Sequence, residues 1–411
     1  MSGGDKRALG KAAGRGGAPL KIADATVPCK HCGATPSTKV CSRCGLTRYC
    51  SKECQERDWK AHKRGCKTPE QREEDLVEEK RLNDRQSDLN DLLLLASLQN
   101  NVRVMEDLIT NKGADVNGRS SSKLDFHGSQ PLHGASASGC IEAMQILLRA
   151  GARIDLLNDY GHNCILAASR MGQVEAIREL IAVGADANST GPDGTSCLMI
   201  ACEGDYVDAA RVLIDAGADV NYASTREQCR NPSSPLIIAS QKGAVDLINV
   251  LMAAGAKVNQ STCDGWTPLM AACAWGRDEV LKIHIAAGAQ VDQIDSNRRT
   301  ALMTASTWGR VEAIRILLAA GAQVNKTDSD GFTALFPACM KGHLEAVRFL
   351  LDNGADPTMS VLSAQTPVDF AREFKHTDVV ELLEAKIAEL GMTSYYSTKP
   401  KTPKLIMLEP R

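Results

Sequence analysis

The feature that most constrains the fold is a period of 33 residues that runs through most of the chain. The dipeptide Gly-Ala recurs with steps of 33 or 38 residues, beginning at positions 113, 151, 184, 217, 255, 288, 321 and 354. An alanine recurs with the same period, at positions 135, 168, 201, 239, 272, 305, 338 and 371. A period of this length indicates a solenoid, in which each unit can bury its apolar face only against its neighbours.

Within each unit the residue types predict two helices and a turn. Thr267 supplies an N-cap, and Pro268 follows at the first helical position, where no N–H is needed. Gly288 follows a second apolar stretch, so it is expected to end a helix in the left-handed conformation. Asp-Gly pairs predict tight turns at hairpin tips, at 193–194, 264–265 and 330–331.

These units resemble the ankyrin-repeat family, whose period is 33 residues. The motif is carried by stretches such as Asp264-Gly-Trp-Thr-Pro-Leu-Met-Ala-Ala and Ala319-Ala-Gly-Ala-Gln-Val-Asn. The resemblance implies a mainly α fold, a solenoid of helix-turn-helix repeats with β-hairpin loops, in about nine units over residues 91–390 with degenerate terminal units. The two 38-residue steps place their extra residues near Ser120–Ser122 and Gln228–Ser234, in hairpin loops that tolerate insertions.

A second feature is a cluster of metal-type ligands in residues 29–66, with the spacing C-x2-C-x8-C-x2-C-x5-C-x3-C-x7-H-x3-C. Its ligand number is that of two closed tetrahedral zinc sites, which have no open position for water or substrate. The C-x2-C pairs predict tight turns, and the C-x3-C and H-x3-C pairs place two ligands on one face of a short helix. The cluster therefore predicts a structural metal module rather than a metalloenzyme.

This stretch resembles the MYND-type zinc finger, whose pattern ends in C-x3-C and then H-x3-C. Spacing alone permits sequential or interleaved pairing, and the resemblance implies interleaving. One Zn²⁺ would be held by Cys29, Cys32, Cys50 and Cys54, and the other by Cys41, Cys44, His62 and Cys66. The alternatives are a disulfide framework and a RING-like finger, although the C-x-H-x2-C core of the latter is absent. His31 is interpreted as a surface histidine, because it would make a ninth ligand.

Three further segments flank or join the two modules. Residues 1–25 are Gly-rich, basic and free of aromatic residues, which predicts a disordered tail before a finger at 26–67. Residues 68–90 are highly charged and begin with the capping-box residues Thr-Pro-Glu-Gln, which predicts a solvated helix of about three turns. A flexible tether is the alternative, because the segment has few apolar anchors. Residues 391–411 are predicted to form a second disordered tail.

Candidate partner-binding residues lie in two rows defined by the repeat. The hairpin row lies just before the Thr of each Thr-Pro-Leu-like motif and includes His162, Thr195, Trp266, Arg299 and Phe332. The helix-end row lies just before the Gly that ends each first helix and includes Met171, Lys242, Trp275, Trp308 and Lys341.

Aromatic residues are concentrated in these rows, although they make up only 4% of the chain. Trp and Arg are favoured hot-spot residues in protein interfaces. We therefore predict a partner groove centred on Trp266, Trp275, Arg299, Trp308 and Phe332. The alternative is that these rings only pack on one another and on neighbouring helices.

Composition and motifs argue against several functions. The net charge of −2 creates no field that would attract a polyanion, and there is no basic stripe with stacking aromatics, so nucleic-acid binding is not expected. No apolar run reaches the length of a membrane span. The G-x-x-x-x-G-K-[ST], G-x-S-x-G and H-E-x-x-H motifs are absent, so the chain is not expected to be an enzyme.

The sequence therefore predicts a zinc-binding protein–protein interaction adaptor, in which the finger binds one partner peptide and the partner groove binds another. Scattered cysteines such as Cys202, Cys273 and Cys339 are interpreted as small core residues, and free thiols suit a reducing, intracellular compartment, whether cytoplasm or nucleus. A monomer is expected. Alternatives are a transcriptional co-regulator recruited through the finger, or a component associated with a ubiquitin ligase or methyltransferase.

Overall fold

The computed structural model describes residues 39–40, 48–49, 69–121, 128–224, 233–361 and 364–391. The chain divides into two units, residues 1–85 and 86–411. In the first unit, strand β1 (Lys39–Val40) pairs antiparallel with strand β2 (Arg48–Tyr49), so that Val40 lies opposite Arg48.

Helix α1 (Pro69–Leu98) has 30 residues, so it is much longer than the helix of about three turns that the charged segment predicts. No glycine or proline occurs between residues 70 and 98, and nothing in the local sequence ends the helix. Almost all side chains of residues 71–85 are exposed, whereas Leu93 and Leu94 are fully buried. The apolar run at the end of α1 thus serves as the first helix of the repeat stack.

Eight further first helices follow in the described residues, each paired with a second helix that runs back beside it. The first helices are α3 (Pro131–Ser138), α5 (Cys164–Arg170), α7 (Cys197–Glu203), α9 (Pro235–Lys242), α11 (Pro268–Trp275), α13 (Ala301–Thr307), α15 (Leu335–Lys341) and α17 (Pro367–Glu373). The second helices are α2 (Val102–Thr110), α4 (Ile141–Arg149), α6 (Val174–Ala182), α8 (Val207–Asp215), α10 (Val245–Ala253), α12 (Asp278–Ala286), α14 (Val311–Ala319), α16 (Leu344–Asp352) and α18 (Thr377–Glu389).

The helix ends have the capping residues that the sequence predicts. The hydroxyl of Thr267 accepts a hydrogen bond from the backbone N–H of Met270 at 3.1 Å, and Pro268 is the first residue of α11. Gly288 follows the end of α12 with a φ of 85°, in the left-handed region. The capping proposed from the Thr-Pro and Gly-Ala patterns is therefore confirmed, and it sets where each short helix begins and ends.

The core runs through the repeat stack along the line of recurring alanines. Every alanine of that series has no exposed surface: Ala135, Ala168, Ala201, Ala239, Ala272, Ala305, Ala338 and Ala371. A first helix such as α11 is buried from Pro268 to Ala274, whereas the second helix α12 buries only one face. The small alanine side chain lets neighbouring first helices approach closely, which explains why the period appears so clearly in the sequence.

Neighbouring repeats are also joined by a hydrogen-bond ladder of asparagines. The side chain of Asn259 donates to the carbonyl of Gly288 at 3.2 Å and accepts from the N–H of Gln290 at 2.8 Å. The same pair of bonds is made by Asn117, Asn188, Asn221 and Asn325. At the equivalent position Asp292 only accepts, from the N–H of Gln323 at 3.2 Å.

The hairpin loops are closed by local hydrogen bonds. The N–H of Asp328 donates to the carbonyl of Phe332 at 3.0 Å, and the carboxylate of Asp328 accepts from the N–H of Phe332 at 2.9 Å. Within residues 69–391 as described, the Thr190–Ser196 contact is a β-bridge. Most of the two predicted insertions lies outside the described residues.

Candidate functional site

The helix-end row lies where each first helix stops and the chain turns. Gly276 follows Trp275 with a φ of 64°, and Gly309 follows Trp308 with a φ of 61°. Glycine adopts this left-handed conformation without steric cost, so the chain turns immediately after each indole. The turn leaves Trp275 47% exposed and Trp308 58% exposed, at equivalent positions of adjacent repeats.

Each of these helix ends is capped by a side chain of the following repeat. The Nε–H of Arg277 donates to the carbonyl of Gln241 at 3.0 Å, and the Nε–H of Arg310 donates to the carbonyl of Ala274 at 3.4 Å. A cation at a helix C-terminus satisfies a free carbonyl and interacts favourably with the helix dipole. The ring Nε2 atoms of two histidines make the same contact in the next repeats. This cap row consists of Arg277, Arg310, His343 and His376.

Side chains of the cap row pack against the glycines that follow the helix-end row. A Cβ placed on Gly276 would lie 3.1 Å from Cδ of Arg310, and a Cβ on Gly309 would lie 2.7 Å from Cγ of His343. The Arg310 side chain therefore lies against the residue that follows Trp275. Any residue larger than glycine would displace the capping side chain.

Three predicted groove residues have more contacts with the fold. Trp266 is half-buried and packs against the main core. Arg299 is half-exposed, and its Nε lies 3.5 Å from a carboxylate oxygen of the nearly buried Asp295 side chain. Phe332 packs edge-on against Phe336 and Phe370, with ring centroids 5.2 and 5.5 Å away. Among the five predicted residues, the structure thus places Trp275 and Trp308 with the most exposed aromatic surface.

Two buried histidines are absent from the sequence prediction. The Nε2 atom of His133 lies 2.9 Å from the carbonyl oxygen of His162, and that of His284 lies 2.7 Å from the hydroxyl of Ser240. Burial lowers the pKa of each imidazole from 6.5 to about 4. For His133 the hydrogen bond to His162 raises the pKa, but burial has the larger effect. Both rings are therefore neutral at pH 7, and they serve as core residues rather than acid–base groups.

The repeat cysteines are core residues, as predicted. Cys202, Cys273 and Cys339 are fully buried, and burial raises the pKa of each thiol well above its ordinary value. A thiol with a raised pKa is a poor nucleophile. By contrast, Cys263 is exposed in a hairpin loop.

The predicted metal ligands lie outside the described residues, as do residues 1–25 and 392–411. They are Cys29, Cys32, Cys41, Cys44, Cys50, Cys54, His62 and Cys66. Strands β1 and β2 immediately precede Cys41 and Cys50 in sequence. In the part of the chain that is described, no group of three or more His, Cys, Asp or Glu side chains is arranged to hold a metal ion. Across those same ranges, no helix is both long and apolar enough to cross a bilayer.

The cap row was missed by sequence reasoning, although its signal is present. Arg277, Arg310, His343 and His376 follow the 33-residue period, one residue after each first-helix glycine or its equivalent. The period shows that the position is repeated, but the partner of each side chain is a carbonyl in the preceding repeat. That contact becomes visible only when the stacking of adjacent repeats is known.

Comparison with known families agrees with this architecture. A family model described as ankyrin repeats in three copies matches residues 132–224, 236–328, 278–361 and 324–393. A second model, described as the MYND finger, matches residues 29–66, from the first to the last predicted metal ligand. No curated protein matches the chain.

Proposed function

The chain belongs to the ankyrin-repeat family and carries a MYND finger, and on this basis we propose that it is an adaptor that binds two protein partners at once. Both modules are protein-interaction domains. The presence of the two on one chain is the observation that carries the proposal. An adaptor gains from linkage, because binding to one module raises the effective concentration of the second partner.

For the finger, we propose two structural zinc ions held in the interleaved arrangement. MYND fingers bind zinc, and seven thiolates with one imidazole form the soft donor set that zinc prefers. One ion would be held by Cys29, Cys32, Cys50 and Cys54, and the other by Cys41, Cys44, His62 and Cys66. Bound zinc would supply the folding free energy of this short module and leave its surface to bind a partner peptide.

For the repeats, we propose that the second partner contacts the exposed indoles of Trp275 and Trp308. Large exposed aromatic side chains grouped on one surface are typical of contact sites. Arg299 adds a half-exposed guanidinium in the hairpin row. Trp266 and Phe332 complete the proposed groove from partly buried positions, where they support its wall.

The proposal includes three further parts: that the protein is a monomer, that it acts in the cytoplasm or the nucleus, and that it catalyses no reaction. The last part is supported by the absence of the common phosphate-binding, hydrolase and zinc-protease motifs from the sequence. Calorimetry with S-adenosylmethionine tests whether the chain itself acts as a methyltransferase, and no binding heat is expected.

The adaptor proposal can be tested by affinity capture with the full-length chain and two variants. In the first, Cys50→Ser and Cys54→Ser remove two predicted zinc ligands; in the second, Trp275→Ala and Trp308→Ala remove the exposed indoles. We expect the intact chain to capture two sets of proteins, of which each variant loses one. Quantitative mass spectrometry of the captured proteins provides the measurement.

A matched control keeps the comparison specific. His31→Ala lies within the finger sequence but removes no predicted ligand, so it should retain both sets. If both variants lose the same proteins, or neither loses any, the protein does not bridge two partners through these surfaces.

A further inference from the structure

The helix-end row changes its chemistry along the stack. In four successive repeats it presents a cation, two indoles and a second cation, which are Lys242, Trp275, Trp308 and Lys341, all exposed. In the repeat before Lys242, the residue that precedes the corresponding glycine is Glu203, so the cationic stretch begins at Lys242. The cap row adds the exposed side chains of Arg277 and Arg310 between these positions.

The cations on this surface differ from those on the second helices. On the second helices α12, α14 and α16 a cation pairs with a glutamate one turn earlier: Lys282 with Glu279 at 3.6 Å, Arg315 with Glu312 at 3.1 Å and Arg348 with Glu345 at 3.9 Å. Within the described ranges, no carboxylate forms an ion pair with the helix-end and cap-row cations, namely Lys242, Arg277, Arg310 and Lys341. Apart from the electrostatic interaction of Arg310 with Asp278, their charge is available to a partner.

The two arginines are also held in place before any partner binds. The Nε of Arg310 bonds to the carbonyl of Ala274, and its stem lies against Gly276, beside Trp275. Arg277 makes the equivalent bond to Gln241. In the described residues these arginines bond through Nε only, so the two terminal nitrogens of each guanidinium can meet a carboxylate. Pre-ordering of this kind reduces the entropy lost on binding.

The spacing of the row fits an extended peptide. Packed helices lie about 8–10 Å apart, so the three intervals between the four positions from Lys242 to Lys341 span about 24–30 Å. A polyproline II segment advances about 3.1 Å per residue with three residues per turn. Every third side chain of such a segment would therefore face the next repeat, and about ten residues would cover the row.

We propose that this surface binds an extended acidic segment of a partner protein, with apolar side chains seated on Trp275 and Trp308 and carboxylates at both ends facing Lys242 and Lys341. The inference rests on the proposed adaptor function and specifies the chemistry of its second partner. The pattern required is acidic, apolar, apolar and acidic, at every third residue. Residues 392–411 of the chain itself are not this occupant, because they contain four basic residues and one acidic residue.

A peptide suits this surface better than a nucleic acid. The cationic strip is narrow, since the exposed Glu279, Glu312 and Glu345 occupy the first turns of the adjoining second helices. A polyanion with a charge on every residue would meet all of these carboxylates, whereas a peptide with carboxylates only at its ends would meet fewer of them.

The test is fluorescence anisotropy of a labelled peptide of about ten residues against the full-length, zinc-loaded protein. The probe has glutamate at its first and tenth positions, leucine at its fourth and seventh, and serine or proline elsewhere. We expect saturable binding that weakens at least about tenfold with Trp275→Ala/Trp308→Ala. Lys242→Glu/Lys341→Glu should weaken it similarly, and added salt should then no longer weaken it further, while Lys257→Glu, a single charge reversal at the opposite end of a helix pair, should leave binding unchanged.

Circular dichroism and the thermal unfolding midpoint establish whether each variant is folded. If Trp275→Ala/Trp308→Ala does not fold, Lys242→Glu/Lys341→Glu still tests the proposal. Equal binding of a probe in which lysine replaces glutamate would overturn the proposal, as would no binding, an unaltered affinity in the lysine variant, or stronger binding of a single-stranded oligonucleotide. Such a result would leave the adaptor function intact if Trp275→Ala/Trp308→Ala still lost captured proteins, so the two proposals fail separately.

Discussion

His133 and His284 lie inside the repeat stack, where only the neutral imidazole is well accommodated. In the unfolded chain an imidazole has a pKa near 6.5, whereas burial lowers the folded-state pKa of both rings to about 4. Between these values the unfolded state binds more protons, so the repeats should lose stability as the pH falls from about 6.5 towards 4. The pKa difference corresponds to about 3 kcal/mol for each ring at the acid end of this window.

Urea unfolding followed by circular dichroism from pH 7.5 to 4.5 measures this dependence. His284→Met replaces the imidazole with an apolar side chain of similar size and removes one titrating group, so the slope of stability against pH should become shallower than in the unmodified chain. Acid would also protonate the thiolates of the proposed zinc sites, but that contribution is common to both proteins and cancels in the comparison. Parallel slopes would show that His284 is not responsible.

The asparagine ladder allows a test in two opposite directions. Asn259→Asp keeps the acceptor for the N–H of Gln290 and loses the donor to Gly288, so the free energy of unfolding should fall by about 1 kcal/mol. At the ladder position of residue 292, a carboxylate accepts from the N–H of Gln323 in the next repeat but cannot donate. Asp292→Asn supplies the missing donor, so it should raise the free energy of unfolding. Chemical denaturation of both variants measures the effects, and changes of the same sign would exclude the ladder as their cause.

Residue types that act locally were predictable from the sequence, whereas those that act across repeats were not. Thr267 caps its own helix, and Gly288 ends the helix just before it, so both functions can be inferred from neighbouring residues. Phe332, Phe336 and Phe370 form one cluster although the last lies 34 residues beyond the second. Because their contact depends on the packing of two repeats, Phe332 could be assigned to a groove row but not to this cluster.

At the scale of elements, helix α1 combines two environments that should differ in dynamics. Residues 71–85 are almost entirely exposed, and their Glu78–Arg81 ion pair at 3.9 Å is solvated and weak. A helical segment that buries almost none of its side chains is marginally stable in water. Amides in 71–85 should therefore exchange with solvent much faster than those near Leu93 and Leu94, which are buried.

Hydrogen exchange followed by mass spectrometry resolves these two parts of α1. The amides of α11, which is buried from Pro268 to Ala274, provide the slow reference. Slow exchange in 71–85, comparable with that of α11, would contradict the expected low stability of this exposed part of α1.

The length of α1 shows the limits of element prediction. Its first turn is readable from a capping-box pattern and a proline, but its end depends on where the apolar run from Leu92 meets the stack. Because no glycine or proline lies between these points, the charged segment and the first repeat form one element. Local composition distinguished a linker from a repeat, whereas the backbone makes no such division.

At the scale of the whole molecule, the two modules should depend on different sources of stability. The repeats bury a continuous apolar core along the alanine line, whereas a finger of about forty residues is too small to fold on an apolar core alone. Removing zinc should therefore unfold the finger and leave the repeat helices intact. It should also leave binding at Trp275 and Trp308 unchanged.

Treatment with a strong zinc chelator tests this division of the chain. Two zinc ions per chain are expected by elemental analysis before treatment. Their removal should expose seven reactive thiols, because seven of the eight proposed ligands are cysteines. The helical circular dichroism signal should change little, since the described helices lie in residues 69–389.

His31→Ala should retain both ions, whereas Cys50→Ser should lose at least one. A single ion in the untreated protein would contradict the paired sites, and a large loss of helix would show that the repeats depend on the finger.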